Sequence, residues 1–149
     1  MIRIDKYSKY SSALVRIALS LVFLWFGINQ VFDSNSFLGY LPQFALKTVQ
    51  MMHSSMTFIP QSAILLIQLN GIFEVIFGIL LLAGLFTRIA SLLLSAHLFI
   101  IMLSLSYNDV AVRDFGLMLC AFSIFLQGPD EWCIDRKKIS WMARFRKLM

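Results

Sequence analysis

The stretch NGIFEVIFGILLLAGLFTR, residues Asn70 to Arg88, decides the fold. Its apolar run is too long and too uniform for one face of a soluble helix, and a single carboxylate, Glu74, interrupts it. A bilayer core about 30 Å thick takes roughly 20 helical residues to cross, so the stretch reads as a membrane span that retains one ionisable group. Working outward from it, the expected spans are Ala13–Phe32, Ile64–Phe86, Ile89–Tyr107 and Val110–Gln127, in a single membrane domain over residues 1–149. A chain that is 59% hydrophobic and only 14% charged has the composition of an integral membrane protein.

The first run follows the basic segment MIRIDKYSKYSSALVR and so imitates a secretory signal peptide. It is longer than an h-region, and no A-x-A-like site follows it before NQVFDSNS, so it is read as an uncleaved anchor. Basic residues then set the direction. Arg3, Lys6, Lys9, Arg16, Arg88, Arg136, Lys137, Lys138, Arg144, Arg146 and Lys147 fall on one side of the spans, and only Lys47 and Arg113 on the other. The positive-inside rule therefore places both termini and the Thr87–Arg88 turn in the cytoplasm. Both termini on one side require an even number of spans, which supports the fourth. Basic charge confined to span ends points to a lipid bilayer as partner and not to nucleic acid.

The expected fold is all-α: a four-helix bundle in a bacterial-type inner membrane, with short loops and one longer outer loop, Asp33–Ala63. Within that loop LPQFALKTVQMM predicts a short helix. After Gly128–Pro129 a basic tail over 129–149 predicts a cytoplasmic C-terminal helix lying on the inner leaflet. Cys120 and Cys133 are expected far apart, as free thiols.

Inside lipid, small and polar residues mark the faces on which helices meet. On the first span these are Arg16, Ser20, Phe23, Gly27 and Gln30; on the second, Gly71, Glu74 and Gly78 with Asn70 beside them. On the third, Ala90, His97 and Ser104 share a stripe, with Ser91 and Ser95 next to it; on the fourth the stripe is Arg113, Gly116, Cys120, Ser123 and Gln127. All four stripes are expected to face inward. Glu74 and His97 both sit near the middle of their spans, and the tight GLFTR turn sets them at one level. A carboxylate there needs a partner or water. Asn29, Gln30, Asn70, Arg113 and Asp114 form a second polar group nearer the outer surface. Together these residues suit a proton-handling group or a polar anchor for a lipophilic ligand such as a quinone, and they equally suit interhelical glue.

The segment MMHSSM offers donors that suit Cu(I), but three methionines on one short segment are also ordinary packing residues. His97 has no second intramembrane histidine with which to share a haem or metal, so no metal site is expected. No GxGxxG, Walker or CxxC motif is present, and no intrinsic cofactor is expected.

The chain resembles the DoxX family. The resemblance rests on RIALSLVFLWFGINQVF (16–32), on GIFEVIFGILLLAGLFTRIASLLLSAHL (71–98) with its glutamate, glycines and T-R turn, and on DVAVRDFGLMLCAFSIFL (109–126) with its R-D pair. It implies a small four-helix inner-membrane protein associated with quinone-linked redox or oxidative-stress complexes, in which Glu74, Arg88, Arg113 and Asp114 are the positions to watch. Many relatives carry a lysine where this chain has Gln30, which puts any role needing that cation in question. The resemblance implies an accessory subunit that meets a membrane or cytoplasmic redox partner, with homo-oligomers as a further expectation. Two other readings stay open: a small proton-coupled transporter or lipid-handling protein in which Glu74 titrates and His97 relays, and a membrane scaffold.

Overall fold

The computed structural model describes residues 5–41, 59–104 and 109–136. Its elements are α1 (Asp5–Phe32), a 3-10 helix (Ser34–Tyr40), α2 (Ile59–Ala83), α3 (Thr87–Ser104) and α4 (Asp109–Gln127), and no strand occurs among the described residues. Among the described residues, three segments are long and apolar enough to cross a membrane: Tyr10–Phe32, Ala63–Ala83 and Thr87–Ser104. The expected loop helix, the MMHSSM segment, the end of the third span and the tail beyond Arg136 lie outside the described residues.

Local chemistry sets the boundaries. The second span was expected to run to Phe86, but α2 stops at Ala83 because Gly84 adopts φ 68°. Its N–H bonds to Leu81 O and the Leu85 N–H to Leu80 O, the paired bonds of a Schellman cap. Phe86 also has positive φ, at 48°, and its carbonyl accepts the Ala90 N–H. The third helix therefore starts at Thr87, two residues before the expected Ile89. The 3-10 turn after α1 replaces what reads as open loop; the Ser34 hydroxyl donates to Gln30 O at 2.6 Å and the Ser36 hydroxyl to Asp33 Oδ2 at 2.5 Å.

Packing is uneven. α1 lies closely along α2 and α3 along α4, whereas contact between these two pairs is sparser. Glycine explains the first pair. A Cβ on Gly27 would stand 2.7 Å from the Gly71 carbonyl oxygen, and one on Gly71 would stand 2.7 Å from the Gly27 carbonyl oxygen. The two backbones touch, as small residues allow in a membrane. A core of Leu19, Phe23, Leu81, Ala90, Leu94, Leu98, Ala121 and Ile124 draws on all four helices. Leu21, Trp25, Leu69, Ile76, Ile100 and Leu119 point outward, as side chains do when lipid is the solvent.

The expected inward stripes of the first two spans are buried: Arg16, Ser20, Phe23, Gly27 and Gln30 on α1, and Gly71, Glu74 and Gly78 on α2. Ala90, Ser91 and Ser95 are buried on α3, and His97 is half-buried. The stripe assigned to the fourth span is wrong. Arg113, Gly116, Cys120, Ser123 and Gln127 face outward, and the buried face is Ala111, Asp114, Ala121 and Ile124. Neighbouring residues stand about 100° apart on a helix, so anchoring the stripe on Arg113 and not on Asp114 turned the whole face.

One end of the bundle is locked by Arg16, which is only 2% exposed. Its Nε donates to Asp130 Oδ2 at 2.6 Å and its Nη1 to the Leu81 and Leu82 carbonyls, each at 2.7 Å. Those carbonyls lie in the last turn of α2, where helical N–H partners run out; Leu81 O accepts the Gly84 N–H as well. Nearby, Asp135 accepts the Thr87 N–H at 2.8 Å and the Thr87 hydroxyl at 3.1 Å, capping α3, while its own N–H donates to Gly84 O at 3.1 Å. Residues 130–135 thus seal the α2–α3 turn. Burial works against charge on Asp130, but hydrogen bonds from Arg16 and from the Trp132 N–H outweigh it and hold the carboxyl below the usual range. Burial pushes the Cys133 thiol up. Both cysteines are free, Cys133 buried and Cys120 exposed.

Two outcomes follow for thermal unfolding in detergent. Gly27→Ala and Gly71→Ala each lose about 1–3 kcal/mol through overpacking, whereas Gly116→Ala, with nothing within 4 Å of the new carbon, is neutral or stabilising. Asp130→Asn, which strands the buried Arg16, costs about 3–5 kcal/mol at neutral pH. Because the folded Asp130 carboxyl titrates below its unfolded counterpart, its contribution is complete above the ordinary carboxylate pKa and fades as pH falls through the lowered folded value. The parent therefore loses stability on acidification, and Asp130→Asn shows less of that loss.

Candidate functional site

The apolar core fills the space between the helix pairs near the Arg16 lock. Past Phe23 and Leu98 that space becomes a cavity of about 730 Å³. Its walls are mostly apolar, with Phe26 from α1, Phe73 from α2, Ile101 from α3 and Leu117 from α4, and the 3-10 helix supplies Phe37 and Tyr40 at its rim.

The base of the cavity is polar, and the helix register explains why. Asn70 and Glu74 are one turn apart on α2 and so share a face. The Gly27–Gly71 contact brings Gln30 of α1 against them. Asn70 Nδ2 donates to Gln30 Oε1 at 2.7 Å and to Glu74 Oε1 at 3.0 Å, and Gln30 Nε2 donates to Glu74 Oε2 at 3.3 Å. Across the gap His97 Nε2 stands 3.6 Å from Glu74 Oε1. That is close enough for an ion pair if the imidazole is protonated, but too long for a hydrogen bond. The nitrogen is buried and has no hydrogen-bond partner among the described residues, an uncommon condition for a buried polar atom. The imidazole ring packs against Phe73, with centroids 4.6 Å apart.

Nearer the mouth, Arg113 Nε and Nη2 both donate to Asp114 Oδ1, at 2.9 and 2.8 Å. The Arg113 guanidinium lies 4.5 Å from the centre of the Phe26 ring. Asp114 is buried, while the Arg113 side chain is 45% exposed.

Of the candidate residues, Gln30, Asn70, Glu74, His97, Arg113 and Asp114 line one cavity. Asn29 does not join them; its amide donates to Trp25 O at 2.6 Å on its own helix. Arg88 stands at the other end of the bundle, exposed, with its guanidinium against Gly128. Sequence reasoning missed the aromatic walls, although Phe26 belongs to the aromatic WFG segment and Phe73 directly precedes Glu74. It also missed Asp130 and Asp135. The one signal for Asp130 was Arg16, a cation on an inward stripe that had to find acceptors.

The DoxX family model matches residues 11–106, which take in α1 from its third turn, the 3-10 helix, α2, α3 and every cavity residue outside α4. Neither the curated proteins nor the solved structures include a match to the chain.

If the base is an interlocked amide–carboxylate network, Gln30→Leu leaves Asn70 and Glu74 each short of a partner and lowers unfolding stability by about 1–3 kcal/mol. Asn29→Leu, which removes a bond within one helix, stays below about 1 kcal/mol in the same detergent melts.

Proposed function

The chain belongs to the DoxX family, and we propose that it holds a lipophilic molecule of quinone type in this cavity, as a non-catalytic subunit of a membrane redox or oxidative-stress assembly. The observation that carries this reading is His97 Nε2, buried and unpartnered among the described residues, beside Glu74 at the base of an apolar-walled cavity. Sites for small organic ligands commonly enclose roughly 300–1,000 Å³, with apolar walls and a few convergent polar groups. A ring head with an oxygen at its edge suits that base: His97 Nε2 supplies the open polar contact, and Phe73 and Phe26 supply flat apolar surface. Such a group, when bound, contributes two-electron redox chemistry. The chain's own residues bind and orient it, keep water out, and hold a proton at Glu74 or His97. Since the sequence carries no cofactor motif, electrons come from a partner protein.

The same reading takes α4 as a fourth span. Its 19 residues match the bilayer core, and it packs along α3. Removing Arg16 and Arg113 from the basic count, since each is neutralised by an aspartate, leaves the charge asymmetry in place. Both termini then lie in the cytoplasm of a bacterial-type cell, and the cavity opens toward the outer half of the membrane.

Extraction from native membranes in mild detergent, with analysis of copurified lipids, tests the proposal. The parent carries quinone well above the level in an unrelated membrane protein purified alongside, and Glu74→Gln, compared as folded, monodisperse protein, loses it at least about tenfold. Equal quinone in both proteins removes Glu74 from the site, and quinone at background in the parent rules out the ligand.

A further inference from the structure

We infer that the cavity selects its occupant by charge: it takes neutral heads that donate a hydrogen bond, of phenol or hydroquinone chemistry, and turns away anionic lipids of the same length. The inference rests on the ligand-binding reading above and narrows it. Glu74 is 4% exposed, and its two oxygens each accept an amide N–H, Oε1 from Asn70 and Oε2 from Gln30. Each oxygen therefore serves as an acceptor at the base of the cavity. Among the described residues its one basic neighbour at ion-pair distance is His97.

The cation at the mouth is already matched. Arg113 gives Nε and Nη2 to Asp114 Oδ1, so the pair brings no net positive charge to the cavity. An anionic head would stand against Glu74 where apolar walls screen little. A hydroxyl fits the same place well, because it donates to a carboxylate oxygen and accepts from the unpartnered His97 Nε2. The Phe73 ring that supports the imidazole extends a flat apolar surface to whatever carries the hydroxyl.

Two probes separate charge from size. 4-Octylphenol and 4-octylbenzoate share ring and tail; at neutral pH the first is uncharged and the second is an anion. Titrated into the full chain in nonionic detergent and followed by calorimetry, the phenol binds at least about tenfold more tightly than the benzoate. In Glu74→Gln, which removes the charge that repels the benzoate and the acceptor that holds the phenol, the ratio falls below about threefold. The comparison in the parent needs no variant, so it decides the matter even if Glu74→Gln fails to fold. Benzoate binding as tightly as phenol in the parent, or an unchanged ratio in the variant, overturns charge selection and leaves a ligand cavity standing. Binding of neither probe overturns both readings.

Discussion

A guanidinium buried among apolar helices has to collect acceptors from wherever the chain can bring them, and Arg16 does so from two separate segments. It takes the Leu81 and Leu82 carbonyls at the end of α2 and the carboxylate of Asp130 beyond α4. The guanidinium is fully matched only when α1, the α2–α3 turn and the segment after Gly128 arrive together. Removing one member of a buried pair of this kind costs more than the pair itself contributes, so the contact acts as an all-or-none condition on assembly at this end. Asp135 adds a second tie by capping α3 through Thr87. With one end fixed from three directions, the bundle has no need of tight packing throughout, and the cavity at the other end is the result.

The cavity depends on a second constraint, the backbone contact of Gly27 with Gly71. That contact sets the register of α1 on α2 and carries Gln30 to Asn70 and Glu74. The amides there are used on one another and on the carboxylate, which leaves His97 Nε2 as the polar atom at the base without a bond among the described residues. Its position on α3, the helix of the other pair, means that the orphaned donor or acceptor lies across the seam where contact is sparse. A molecule entering along that seam from lipid meets apolar walls first and the polar base last, the order that suits a lipophilic compound with a polar head.

Much of this was legible in the sequence because polar residues are costly in a membrane and so mark interior faces. Glu74, Asn70 and Gln30 were found that way, and the short GLFTR turn correctly set His97 level with Glu74. The fourth helix shows the limit of the method. Arg113 and Asp114 are adjacent, both are charged, and periodicity alone gives no reason to prefer one as the inward residue; a long guanidinium can reach back to its neighbour from outside, whereas a short carboxylate cannot. The Arg16 lock was hidden for another reason. Asp130 and Asp135 sit in a charged tail whose composition reads as an interfacial helix, and nothing local links Asp130 to a cation more than a hundred residues earlier or Asp135 to the start of α3. Arg16, although on the inward stripe, also counted among the cations that orient the spans.

The central claim is that His97 Nε2 faces a site that an outside molecule completes. With only two histidines in the chain, nitrogen-15 NMR of selectively labelled protein in nanodiscs reads that atom directly, with His53→Gln to assign the signals. Adding a short-chain quinol should shift the His97 Nε2 resonance as the atom gains a hydrogen bond, while Nδ1 moves less. A His97 spectrum that is identical with and without the quinol, under conditions where the quinol partitions into the disc, would contradict the account.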